Sequence, residues 1–473
     1  MKNSLSIFLL LFFRGFFASH LSGVNLGDEV WFLQVVKRLS EGELLYVEVF
    51  FGSGPLAPYL TALGVKIFGC HIFLIKSLGA AIYALHGSIL LKIFLLFSPK
   101  RENYWSLIGL LLIFPDPYLS AGGSLYSPLA SLLLWSAFYA LQKEKFFLAA
   151  VMAIACLFTK QNTGALAIVA VLLATPSNQK FKLVKYMILS SIAGLSLFLP
   201  QLTSGNGKAV FDFMFANKIA YLQNAPLSYL ENAFKLFDLT GYQTISGIRI
   251  AARYLIYFLP ALCLLLPLKK NLLTPTLFIS ADLAATFPRC DIYHLMIAAP
   301  GLCFGVSLFF ELIHNKNFLR LFCRLVFMIF FATLVTIELF WSVNRMSDQH
   351  LTKSTLPYLS GAIVNQDFEK KAQITAQKLT NSDKLYIQSD MAALLYLISN
   401  QPNLTPYDYP LLTTFRKNDQ KKIIQMIETG IIKNICYSKY SDQKLAAQEI
   451  EDFMEKKTFK IGETPLCQIK RKT

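Results

Sequence analysis

The chain has 473 residues, 54% hydrophobic and 16% charged, with a net charge of +16 and a mean hydropathy of +0.46. Soluble domains carry roughly 25% charged residues, so a single large water-soluble core is excluded as the main architecture. The positive charge does not indicate nucleic acid either, because Lys and Arg gather in short loops rather than on a face interleaved with exposed aromatics.

A membrane helix needs about 20 mostly apolar residues, and apolar blocks run from Leu5 to about Trp341. The first block, Leu5–Phe17, follows Lys2 and has the look of a signal peptide. No small-x-small cleavage site precedes Asp28, so it is read as a retained first span with Arg14 as an anomaly inside it. Polar punctuation then places spans at Ser4–His20, Ile72–Phe97, Tyr104–Phe114, Leu125–Leu141, Phe146–Phe158, Thr163–Thr175, Leu183–Leu199, Ile250–Leu268, Leu272–Phe287, Leu295–Ile313 and Phe318–Trp341. That predicts a polytopic helical membrane protein of about eleven spans.

Alternate loops differ in charge. One set holds Lys100, Arg101, Lys143, Lys145, Lys180, Lys182, Lys269, Lys270, Lys316 and Arg320; the other is built around Asp116, Lys160 and Arg289. The bias toward cytoplasmic Lys and Arg predicts a cytoplasmic N-terminus, with outer loops at about 21–71 and 200–249 and an extracytoplasmic tail. The expected organisation is a membrane domain over 1–343 and a small soluble α/β domain over 344–473. In that tail "DKLYIQSD", "IIKNICYS" and "FKIGETPLCQI" read as strands. "AALLYLIS" and "QKLAAQEIEDFMEKK" read as helices, the second capped by Ser441 or Asp442. Cys436 and Cys467 lie in the tail, where an outside location would permit a disulfide. Cys156, Cys263, Cys303 and Cys323 sit in apolar runs and read as core fillers.

The first outer loop carries most of the chemistry. Asp28 and Glu29 stand side by side just after the first span, and carboxylates at such a place are costly unless used. Val30, Leu33, Val35, Val36 and Leu39 then form a stripe that predicts an amphipathic helix along the membrane surface. Its first turn would hold both acids, where the helix dipole favours negative charge. A second acid-bearing segment, Leu45-Tyr46-Val47-Glu48, leads into Gly52-Ser53-Gly54-Pro55-Leu56.

This order of acidic pair, helix, Tyr-x-acid and Gly/Pro-Leu turn resembles the C-type membrane glycosyltransferases, in particular the branch of protein mannosyltransferases and aminoarabinose transferases. That branch usually reads Tyr-x-Asp-x-His-Pro-Pro-Leu. Here Glu48 replaces the Asp and Gly-Ser-Gly-Pro the His-Pro-Pro, so no role of that histidine carries over. Lys160-Gln161-Asn162-Thr163-Gly164 is similar to a Lys-Gln loop of bacterial members, and Arg289-Cys290-Asp291-Ile292-Tyr293-His294 to an Arg-x-Asp-x-x-His segment of others.

The resemblance implies an inverting hexosyl- or pentosyltransferase of the cell envelope. It would take a sugar from a polyprenyl-phosphate donor to a lipid, glycan or protein acceptor at the outer face of the cytoplasmic membrane. Asp28 aligns with the acid the family uses and is the expected base; Glu29 would orient Asp28 or the acceptor. The substrate-binding set is Glu48, Lys160, Gln161, Arg289, Asp291, His294 and Asp116. Arg289 would grip phosphate through its fork and Lys160 as a point charge. Asp291 is expected to pair with Arg289 or His294. No cofactor is required by the sequence, although the oxygens of Asp28, Glu48 and Asp116 would suit Mg or Mn. Trp31, Tyr46, Tyr126 and Tyr293 would stack on sugars or serve the interfacial aromatic belt.

The alternative is a transporter or flippase for a lipid-linked glycan, which would use carboxylates as proton relays. Its acids would lie near the bilayer midplane in inverted repeats, and the sequence shows none. A polymerase- or ligase-like enzyme would carry a large Arg- and His-rich outer loop, whereas 200–249 has only Lys208, Lys218, Lys235 and Arg249 as cations. An inactive scaffolding relative completes the set.

Overall fold

The computed structural model describes residues 4–98, 104–113, 125–216, 229–234, 258–263, 266, 272–287, 290–312, 317–409, 417–438, 448–456 and 460–471, some of them by backbone alone. Asp116, Arg289, Ser441 and Asp442 lie outside these residues. The chain forms two compact units. The first comprises Met1–Ser22, Lys76–Ser196 and Leu227–Asp348; the second comprises Gly23–Ile75, Leu197–Pro226 and Gln349–Thr473.

The first unit is helical. Its core gathers Trp135, Phe138, Phe278 and Phe304, with Phe138 stacked on Phe278 at 4.4 Å and Trp135 edge-on to Phe304 at 5.2 Å between centroids. Cys156, Cys263 and Cys303 are free and buried in the same core, as their apolar settings predict. Arg14, the anomaly of the first helix (Ser4–Leu21), faces Glu338 at 3.7 Å, which offsets a charge otherwise costly in an apolar segment. Lys76 is buried and donates to the Ser19 carbonyl at 2.9 Å. Large apolar side chains remain on the outside, among them Phe181, Trp105 and Ile192.

Among the described residues three helices are long and apolar enough to cross a membrane: Ile72–Phe97, Ser177–Thr203 and Ile292–Glu311. Several predicted spans are shorter apolar helices, such as Tyr104–Ile113, Phe146–Thr159, Gln161–Ala174 and Leu273–Ala284. At 1.5 Å per residue, 14 residues rise only about 21 Å, so hydropathy located these helices without establishing eleven full spans. Within the first outer loop, the Gly/Pro-Leu turn leads into an apolar helix, Leu56–Phe68.

Two of the short helices meet without a loop. Phe146–Thr159 and Gln161–Ala174 are separated by Lys160 alone, whose backbone is extended at φ −149° and ψ 115°. The helices approach closely because of Gly164: a Cβ there would lie 2.1 Å from the Leu157 Cα. Backbone cannot yield that distance, so Gly164→Ala is expected to lower stability by about 1–3 kcal/mol or more through overpacking. Thermal unfolding of the detergent-purified chain checks it.

The second unit is α/β, and the tail Gln349–Thr473 shares it with Gly23–Ile75 and Leu197–Pro226. Strand β1 (Leu351–Lys353) pairs antiparallel with β2 (Ile363–Asn365). Asn365 then caps the helix Gln366–Thr380, its side-chain oxygen accepting from the Asp367 and Phe368 N–H groups. The main sheet contains β3 (Leu385–Gln388), β4 (Asn434–Tyr437), β5 (Lys460–Glu463) and β6 (Gln468–Arg471), in the order β3-β4-β6-β5. Among the described strands of this sheet, β3 and β4 run parallel and the other pairs antiparallel. The stretch read as one strand, "FKIGETPLCQI", is therefore a hairpin, turned at Thr464 through its bonds to Cys467. The helix Ala392–Ser399 falls as predicted, and the second predicted helix is described from Gln448 to Lys456.

Cys436 and Cys467 form a disulfide that ties β4 to the hairpin. With a sequence separation of 31, chain-entropy reasoning gives it about 3–4 kcal/mol. Cys436→Ser is expected to lower the unit's denaturation midpoint accordingly, and reductant should do the same to wild type but leave the variant unchanged.

The apolar stripe of the helix Asp28–Ser40 is covered by protein. Val30, Phe32, Leu33, Val35, Val36 and Leu39 are buried, and so are Gln34 and Arg38. The helix is packed between the helices Leu56–Phe68 and Ala392–Ser399 of the same unit. The apolar stripe was real, but its partner is protein, and burial extends round to the face that carries Arg38.

Candidate functional site

The second unit presents the acidic pair. Gly27 precedes the helix, and the Asn25 side chain accepts from the N–H groups of Gly27 (3.0 Å) and Asp28 (3.1 Å). This fixes the chain's entry to the helix, and its open donors favour negative charge. Adjacent residues on a helix diverge, and the two acids do so: Asp28 is exposed, whereas Glu29 is buried and accepts from the Asn25 N–H at 3.0 Å. Glu29 thus holds the loop that delivers Asp28. Trp31, one turn along from Asp28, is half-buried and stacked on Phe51 at 5.6 Å.

Glu48 is exposed, and its carboxylate closes a turn by accepting from the Leu44 N–H at 2.6 Å. Its carbonyl accepts from Arg38 at 2.7 Å. Among the described residues no three of His, Cys, Asp and Glu gather into a group able to hold a metal, so no step is assigned to one. Tyr46, at φ 66°, is fully buried with its hydroxyl on the Ser53 carbonyl at 2.5 Å, and so braces the loop rather than facing a ligand.

Arg38 organises this unit. Its Nη1 donates to both Asp408 oxygens at 3.0 Å and to the Thr405 carbonyl at 3.1 Å, and its Nε donates to Glu43 at 2.8 Å. Arg38 and Asp408 are both buried. The first loop and the tail are bound together by one guanidinium, which the sequence offered only as a basic residue in a helical pattern.

The first unit holds a separate polar recess of about 210 Å³, its open mouth included, lined by Ser127, Ser131, Lys160, Thr163, Asp282, Ala285, Thr286, His294 and Ile297. Lys160 is only 9% exposed, so it does not reach out to solvent, and its Nζ lies 5.9 Å from the Tyr126 ring centroid. His294 joins it in the wall. Asp291 caps the helix Ile292–Leu312 by accepting from the His294 N–H at 3.0 Å, and it also meets the His294 ring at 2.7 Å. Of the two partners expected for Asp291, His294 is observed. Gln161 opens the helix beside Lys160. Asn162 donates to the carbonyls of Ala285 and Phe287 at 3.0 and 3.1 Å, which closes the end of the helix Leu273–Ala284.

Asp282 was not singled out from the sequence. It is buried, and its carboxylate accepts from Ser131 at 2.9 and 3.0 Å and from the Trp135 indole at 2.9 Å. Gly301 admits it, since a Cβ there would stand 2.9 Å from an Asp282 oxygen. The available signal was a lone acid within the apolar block Leu272–Phe287.

No family model matches the chain, and no curated protein matches it in sequence. Solved structures do match. ArnT from Cupriavidus metallidurans in the apo state superposes with a TM-score of 0.60 at 11% identity, covering 99% of this chain and 98% of that one. The same protein bound to undecaprenyl phosphate gives 0.56 at 11% identity, covering 99% and 97%. The chain therefore has an ArnT-like fold, the C-type glycosyltransferase architecture that its first loop suggested. With its apolar helices, this makes it a multi-pass membrane protein.

Proposed function

We propose that the chain is an inverting glycosyltransferase of the cytoplasmic membrane. It would move a sugar from a polyprenyl-phosphate donor to a lipid, glycan or protein acceptor on the outer face. The observation that carries this reading is the fold shared over nearly the full length of ArnT, a protein solved with undecaprenyl phosphate bound. Asp28 supports it as an exposed carboxylate on a braced helix start, able to take the acceptor hydroxyl's proton as the bond to the anomeric carbon forms. Trp31 offers a flat face for a sugar ring one turn away.

The leaving lipid phosphate needs positive charge, because its negative charge develops as the glycosidic bond breaks. Lys160 is the first proposed cation; its side chain is buried in the wall of the first unit's polar recess, where water screens its charge little. Arg289 is the second proposed cation. The tail disulfide supports an oxidising, extracytoplasmic location for the second unit. The test is mass spectrometry of envelope lipids and glycans in a deletion strain. One product should be missing a single sugar while its unmodified acceptor accumulates; an unchanged glycan profile counts against the reading.

One observation favours a second reading. Asp282 and Lys160 are charged side chains buried within a helical bundle, the setting in which transporters place proton relays. A flippase would move the lipid-linked sugar intact, with no new glycosidic bond.

A further inference from the structure

We propose that the C-terminal tail completes the Asp28 site, with the Tyr409 phenol as a positioning residue for the Asp28 carboxylate. This rests on the glycosyltransferase reading above. All the groups involved belong to the second unit.

The tail segment Asn403–Tyr409 is held from within. The Asn403 amide donates to the Tyr407 carbonyl and the Asp408 carboxylate, each at 3.0 Å, and its oxygen accepts from the Thr405 N–H and hydroxyl, each at 3.0 Å. Arg38 then grips Asp408, the residue immediately before Tyr409, from the same helix that begins at Asp28. The Phe50 N–H adds a bond of 2.8 Å to the Pro406 carbonyl. Carboxylate and phenol are thus carried by one braced assembly.

The phenol arrives at the start of that helix. The Tyr409 hydroxyl lies 3.7 Å from where a Cβ would stand on Gly27, the residue before Asp28. Burial, and then the nearby carboxylates of Asp28 and Asp390, push the phenol up to about 12. Tyr409 therefore stays protonated wherever the enzyme would work and acts as a hydrogen-bond donor, not a base. A phenol donating to one carboxylate oxygen fixes the rotamer of an otherwise exposed side chain and leaves the other oxygen for the acceptor's proton. Glu29, turned inward onto Asn25, does not compete for it.

Tyr409→Phe removes one oxygen from a half-buried ring and should fold normally. Its kcat for sugar transfer is expected to fall about 10- to 100-fold, the size of one hydrogen bond to a charged group, with the donor KM unchanged. Asp28→Asn/Tyr409→Phe should be no slower than Asp28→Asn alone. A kcat equal to wild type, or additive losses in the double variant, would overturn the proposal. A readout independent of turnover is the 19F resonance of 3-fluorotyrosine at position 409 in the full chain, followed against pH. An acidic inflection should be present in wild type and in Asp390→Asn but absent from Asp28→Asn. Persistence of the inflection in Asp28→Asn refutes the contact, whether or not the protein transfers sugar. Absence of transfer with the inflection behaving as expected refutes the glycosyltransferase reading alone.

Discussion

Replacing Arg38 with Ala is expected to destabilise the second unit by about 3–5 kcal/mol, because it leaves a buried carboxylate without its counter-charge. Asp408 would lose both of its 3.0 Å bonds from Arg38 and, among the described residues, keep the neutral donors Asn403 at 3.0 Å and Gln34 at 3.4 Å. The carbonyls of Glu48 and Thr405 would lose donors as well. The loss is larger than that of a surface ion pair because both partners are desolvated. Arg38→Lys keeps the charge but not the fork that serves several acceptors at once, so it should fall between wild type and Ala. Chemical denaturation of the full chain, followed by tryptophan fluorescence, measures the series. If the Ala variant is as stable as wild type, Arg38 is not the organiser of this unit.

The second large effect is on chemistry. Asp28→Asn keeps size and shape but cannot accept a proton, so kcat for sugar transfer should fall about 10²- to 10⁴-fold, equivalent to roughly 3–5 kcal/mol of barrier. The fold should hardly respond, because an exposed acid in a helix's first turn contributes only about 0.3–1 kcal/mol. Unchanged turnover by a normally folded Asp28→Asn protein would remove Asp28 from the role of base.

The residues that announced the fold were those whose cost is visible locally. Asp28 and Glu29 stand out because acids next to an apolar run need a reason, and the divergence of their side chains follows from helical geometry alone. The tail strands Leu385–Gln388 and Asn434–Tyr437 were legible as short β-branched and aromatic runs between turn residues. The burial of the helix Asp28–Ser40 was not legible, since an apolar stripe looks the same whether lipid or protein covers it. What covers it here, the helix Ala392–Ser399, lies more than 350 residues away in sequence. Arg38 with Asp408, and Asp282 with Ser131 and Trp135, are pairings of the same long-range kind. Lys160 was named from a motif, but its burial beside Asp282 and His294 in one recess brings together residues over 120 positions apart in sequence.

The central claim is that a glycosidic bond is made with a polyprenyl-phosphate sugar as donor, and one measurement addresses it directly. Purified protein in proteoliposomes is given an undecaprenyl-phosphate donor labelled in both the sugar and the lipid, together with envelope lipids as acceptors, and the products are separated. The account predicts that the labels part, with free undecaprenyl phosphate and a new glycoside appearing in equal amounts, and that Asp28→Asn abolishes both. Labels that cross the bilayer still joined, with no glycoside formed, would contradict it and identify a transporter.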